Sequence, residues 1–133
     1  MAKQIVNRVA NSILKTIDLE VLYPKGNRTA FDISPWLENG IVLREKDFRE
    51  AVSTHPWERY KNQYVSIHCS TEAIIPAWAF MLVSTKLIPY AKKTVIGSQQ
   101  TLETILFTEI LSDLDISEYQ NALVIIKGCA NKP

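Results

Sequence analysis

The sequence is poor in the residue types that usually declare a chemistry. Its 133 residues hold two cysteines and two histidines. Two thiols are too few for a disulfide framework. Cys69 and Cys129 stand 60 positions apart, so there is no C-x-x-C redox pair. The four glycines, Gly26, Gly40, Gly97 and Gly128, are too scattered for a phosphate loop, and neither G-x-G-x-x-G nor a Walker pattern occurs. The net charge is +1 with no long basic run, which argues against a dedicated nucleic-acid binder. Met1-Ala2-Lys3-Gln4 is not followed by the apolar run of a secretory signal. The longest apolar run, Ala73 to Val83, is 11 residues, short of the roughly 20 that a membrane span needs. Together these absences point to a reduced, cytoplasmic protein with no nucleic-acid or membrane partner.

What is present is a core. An apolar fraction of 47% and a charged fraction of 22% are ordinary for a globular protein. The length fits one domain, 1–133. Its centre is the strand candidate Tyr64 to His68 with Cys69 at its end, followed by the Ala73 to Val83 run. A helix that is apolar all round needs cover on more than one side. Pro89 stops that helix at or before Ile88. Lys92 to Gly97 reads as a strand closed by glycine. Ser98 caps a helix whose inner stripe is Leu102, Ile105, Leu106, Ile110 and Leu114, at spacings of three and four. Ala122 to Lys127 is a β-branched run bounded by Gly128, the clearest strand of all.

The N-terminal half is less regular. Val6, Val9, Ala10, Ile13 and Ile17 have helical spacing, while Leu14 to Leu19 also fits an alternating strand. Leu22 to Asn27 is turn chemistry, and Thr29 to Ile33 a short strand. Ser34-Pro35-Trp36 carries a helix-start signal that Asn39-Gly40 would end. Arg44 to Thr54 predicts a helix with Phe48, Ala51 and Val52 inward, broken by His55-Pro56. Residues 64–127 thus alternate as βαβαβ units do, and right-handed crossovers would set the three strands parallel in one sheet. The fold class is α/β, or α+β if the N-terminal half adds antiparallel strands.

Chemistry centres on the thiols. If both strands are parallel neighbours, Cys69 and Cys129 share the carboxyl edge of one sheet, where open α/β sheets bind ligands. With His68 they form a set suited to zinc or an iron–sulfur cluster. Strand alternation, if it continued, would aim His68 and Cys69 to opposite sides. Structural burial of both thiols is the first reading, the metal or cluster set the second and a Cys69 nucleophile the third; its only candidate bases are His68 and His55. Asp32, Glu38, Glu45, Asp47 and Glu72 have no diagnostic pairing. Glu72, three residues after Cys69, is the best placed, with helix capping as its ordinary role. Trp36, Trp57 and Trp78 each closely follow a proline and are expected to pack onto the core, an aromatic pocket being the alternative. Ser66-Ile67-His68-Cys69 with Pro76 is echoed by Ile126-Lys127-Gly128-Cys129 with Pro133; a core strand is normally followed by a segment that covers it, so the chain reads as clipped after its last strand, an exposed terminal loop being the alternative.

Five ordered blocks carry a resemblance: Ile5 to Ser12, Leu43 to Arg49, Cys69 to Leu82, Pro89 to Lys93 and Ile126 to Cys129. Together they resemble the uncharacterised bacterial domain-of-unknown-function family numbered 2480. The resemblance implies members that continue further, with an additional helix, strand and cysteine, and that often lie near iron–sulfur assembly genes. It implies no reaction. The expectation is a non-enzymatic accessory or interaction domain with a thiolate metal site of Cys69, Cys129 and His68, serving metal or iron–sulfur homeostasis beside a protein partner. The alternative is a small thiol-dependent enzyme using Cys69. A homodimer is expected because the apolar 76–88 helix needs more cover than one small domain supplies.

Overall fold

The computed structural model describes residues 15–128. The chain falls into two compact units: one holds the chain up to Pro24 and from Leu106 on, the other is Lys25–Ile105.

The larger unit is a three-stranded parallel sheet in the order β2–β3–β4, from Arg28–Asp32, Tyr64–His68 and Lys93–Ile96. Between β2 and β3 lie a 3₁₀ turn (Ser34–Trp36), helix α2 (Glu45–Thr54) and a second 3₁₀ turn (Trp57–Tyr60). Helix α3 (Ala77–Leu87) joins β3 to β4. Adjacent parallel strands in chain order, each joined by a crossover of the usual hand, put both crossovers on one face. The core agrees: Phe48 and Val52 of α2 and Ala79, Val83 and Leu87 of α3 cluster with Phe31, Val65 and Ile67. The register aligns Phe31 with Ile67, so these side chains share that face. Tyr64, Val65, Ser66 and Ile67 are all buried, because the central strand is covered on both faces.

The opposite face carries Arg28, Tyr64 and Lys93 in one register row. There Glu103, at the start of helix α4 (Gln99–Ser112), receives the Arg28 guanidinium through Nε at 2.8 Å and Nη2 at 3.1 Å. Both side chains are about nine-tenths buried. Arg28 also donates to the Gly26 carbonyl at 2.8 Å and lies 4.7 Å from the centre of the Tyr64 ring. A charge beside Leu102 in the apolar stripe is thus accommodated by a partner 75 residues away.

The three tryptophans enter the core as expected. Trp36 and Trp57 meet the Phe31 ring, and Trp78 meets Phe48 edge-on at 5.8 Å. His55 follows the last turn of α2, where its Nε2 lies 2.7 Å from the Tyr60 hydroxyl. Burial among these rings, with the Arg59 charge nearby, lowers its pKa from 6.5.

Three expectations are corrected. Ser34-Pro35-Trp36 opens only a 3₁₀ turn, because Leu37 is already extended and the Ser34 hydroxyl serves Asp32 instead of capping a helix. The 76–88 helix is not enclosed: Ala79, Val83 and Leu87 are buried, whereas Met81 is 59% and Ile88 64% exposed. Finally, the order strand–helix–strand–helix–strand over 64–127 is present, but β5 (Val124–Lys127) does not join the sheet of β3 and β4. It pairs in parallel with β1 (Lys15–Asp18) in the smaller unit. A β-branched run specifies a strand without specifying its partner. Here Lys15 pairs with Val124, and Asp18 with Lys127, whose ammonium lies 3.7 Å from the carboxylate. All four residues of β5 are exposed, not buried.

The ambiguity at Leu14 to Leu19 resolves as β1 followed by the single-turn helix α1 (Leu19–Leu22), capped by the Asp18 carboxylate on the Glu20 amide. The helix expected over residues 3–14 lies outside the described residues.

Candidate pocket at the carboxyl edge of the sheet

The carboxyl ends of β2, β3 and β4 are Asp32, His68 and Ile96. The loops that leave them build the candidate site. Beyond β3 the chain does not continue as a strand, so the alternation that would separate His68 from Cys69 stops at His68. Both residues line one open pocket of about 540 Å³. Its apolar walls are Ile67, Ile75, Phe80 and Ile96; Thr71 and Ser98 add hydroxyl groups.

Cys69 is a free, partly exposed thiol. It donates to the Thr71 carbonyl at 3.5 Å, and its sulfur lies 3.3 Å from the Thr71 hydroxyl. Thr71 in turn donates to the carbonyl of Gly40. Gly40 has φ +72°, the left-handed region that glycine adopts without a Cβ clash. The Asn39-Gly40 turn therefore holds the thiol loop from the side.

Asp32 holds the same loop from the end of β2. Its carboxylate accepts from the Ser34 amide (2.9 Å) and hydroxyl (3.0 Å), and from the Ser70 amide (3.0 Å) and hydroxyl (2.6 Å). Partial burial alone would raise its pKa. The hydrogen bonds from Ser70 and Ser34 outweigh that and lower it from 3.8 to about 2. Asp32 is thus a fixed anion that positions Ser70, the neighbour of Cys69. No pairing in sequence announced it; the signal lay in a carboxylate and two serines at neighbouring strand ends.

On the β4 side, Gly97 takes φ +147° and leads into Ser98, whose Oγ accepts from the Thr101 amide at 3.0 Å and caps α4. The cap read from the sequence is present. Glu72, the best-placed carboxylate of the sequence reading, is exposed. His55 belongs to the aromatic core and not to the pocket.

The structure brings His68 and Cys69 together and leaves Cys129 outside the described residues. β5, the strand that precedes Cys129 in the sequence, lies in a different sheet from β3. Among the described residues no group of three or more His, Cys, Asp or Glu side chains is arranged to hold a metal ion. Nor is any described helix long and apolar enough to cross a membrane.

The family model described as "Protein of unknown function (DUF2480)" matches residues 3–133. The chain belongs to the DUF2480 family. No curated protein and no solved structure matches it.

Proposed function

We propose that this DUF2480 chain is a non-enzymatic accessory domain of the reducing cytoplasm that binds a soft metal ion at the carboxyl-edge pocket. The observation that carries the reading is that His68 and Cys69, adjacent in sequence, line the same pocket at the end of β3. Thiolate and imidazole are the donors that zinc and iron–sulfur sites use. Two donors do not complete such a site. The remaining ligands are supplied from outside the pocket. A protein partner in metal or cluster assembly would then receive the ion or depend on it.

A thiol-dependent enzyme is the second reading, favoured by the pocket volume, which falls in the range of small-molecule sites. The sulfur meets the Thr71 carbonyl and hydroxyl, and neither acts as a general base.

Metal analysis separates the two. Zinc or iron that copurifies and is lost in Cys69→Ser supports the first. A metal-free protein whose Cys69 alkylates far faster than a model thiol supports the second and refutes the first.

A further inference from the structure

His55 stands at the carboxyl end of α2, where the backbone has left the helix for φ −72° and ψ 139°. Its imidazole sits among aromatic rings. The ring centres lie 4.7 Å away at Trp57, 5.3 Å at Trp36, 5.4 Å at Phe31 and 5.7 Å at Tyr60. The second 3₁₀ turn, Trp57–Tyr60, is tied to this end of α2 from both of its own ends. The Trp57 Nε1 donates to the Val52 carbonyl at 2.8 Å, and His55 Nε2 meets the Tyr60 hydroxyl at 2.7 Å.

The second tie has a direction. The Tyr60 hydroxyl also bonds to the Arg59 side chain. A guanidinium has donors only, so the phenolic oxygen accepts from Arg59. Tyr60 is buried, and its own proton needs an acceptor. Of Arg59 and His55, only the imidazole can accept it. Nε2 is therefore unprotonated, the ring proton sits on Nδ1, and His55 is neutral. Protonation would turn both neighbours of the hydroxyl into cationic donors and leave the phenolic proton without an acceptor.

The charged groups on the surrounding elements do not offset this. β2 carries Arg28, paired with Glu103, and Asp32, engaged by Ser34 and Ser70. The turn Ser34–Trp36 carries none, and the last charge of α2 is Glu50, five residues before His55. On the second 3₁₀ turn Glu58 accompanies Arg59. Burial first, and the Arg59 charge after it, disfavour the imidazolium.

We propose that His55 is a proton switch for the 55–60 turn: neutral, it locks Tyr60 to the end of α2, and protonated, it gives up the Tyr60 hydroxyl and lets the turn loosen about its Trp57 tie. The stability that the lock contributes is full above pH 6.5, the ordinary imidazole value, and is lost as the pH falls through the lower folded value.

A histidine NMR titration of the full chain from about pH 8 to about pH 5 tests this, with His55→Gln assigning the signal. Hydrogen exchange over the same range reads the turn through the amides of Arg59, Lys61 and Gln63, which bond to the carbonyls of Pro56, Glu58 and Tyr60. The expected result is a His55 that titrates below pH 6.5, with these amides, corrected for intrinsic rate, exchanging faster once it is protonated. Tyr60→Phe removes the proton that the neutral ring accepts, and Arg59→Gln removes the neighbouring charge. Each is expected to raise the His55 pKa toward 6.5. In His55→Gln the amide oxygen accepts from Tyr60 at every pH, so the pH dependence of exchange disappears. A wild-type His55 that titrates at or above pH 6.5 overturns the switch, since the carbonyl end of α2 and the ring faces would then be holding the cation. A lowered pKa with unchanged exchange across the transition overturns the release of the turn. A pKa that neither Tyr60→Phe nor Arg59→Gln moves overturns the lock.

Discussion

Replacing Glu103 by alanine removes the counterion of a guanidinium that is about nine-tenths buried. The carboxylate meets Arg28 with both oxygens, at 2.8 and 3.1 Å. Breaking one side of such a pair usually costs about 3–5 kcal/mol, because the remaining charge stays desolvated. Arg28 keeps the Gly26 carbonyl and the Tyr64 ring, so the lower end, about 3 kcal/mol, is expected. The double variant Arg28→Met, Glu103→Leu should lie within about 1 kcal/mol of the wild type, since well-packed apolar replacements of buried ion pairs are often neutral. Urea unfolding followed by tryptophan fluorescence measures all three, with Trp36, Trp57 and Trp78 in the larger unit as reporters. A loss below about 1 kcal/mol for Glu103→Ala would place the pair in the class of exposed ion pairs and refute the role given to it.

Other outcomes follow from single contacts. Asp32→Asn should destabilise the fold at neutral pH. The folded pKa of Asp32 is depressed, so its contribution is full above pH 3.8 and disappears as pH falls through about 2. Full conversion of the shift would give about 2.5 kcal/mol, and solvent screening of a partly exposed carboxylate reduces that to about 1 kcal/mol. Denaturation at pH 7 and pH 2 checks it; an unchanged difference between variant and wild type at the two pH values contradicts the assignment. Phe48→Ala empties a fully buried ring site between Trp36 and Trp78 and should cost about 3–5 kcal/mol, read from the same unfolding curves. Gly97→Ala would place a Cβ 3.1 Å from Thr101 Cβ at φ +147°, so a loss of about 1–3 kcal/mol is expected, with thermal melting as the assay.

Local signals in the sequence located most elements. Pro89 bounded α3, Ser98 capped α4, and the apolar rows of α2 put Phe48 and Val52 inside, because each of these depends on near neighbours alone. Pairing was not legible in the same way. Val124 to Lys127 has the composition of a central strand, yet it pairs with Lys15 to Asp18, a choice made by contacts more than 100 positions apart in the chain. The Arg28–Glu103 pair and the Asp32–Ser70 latch escaped for the same reason: neither residue of either pair carries a local mark of its partner. Alternation could not orient Cys69 relative to His68, since it holds only while the strand lasts, and β3 ends at His68. The apolar character of α3 was legible, but not that Met81 and Ile88 are exposed among the described residues.

The central claim is that the thiol of Cys69 and the imidazole of His68 bind metal at the end of β3. X-ray absorption at the zinc edge of the zinc-loaded protein tests it most directly. The account predicts a mixed shell with sulfur at about 2.3 Å and nitrogen at about 2.0–2.1 Å, and loss of sulfur scattering in Cys69→Ser. A wild-type shell of oxygen and nitrogen alone, unchanged by Cys69→Ser, would contradict it.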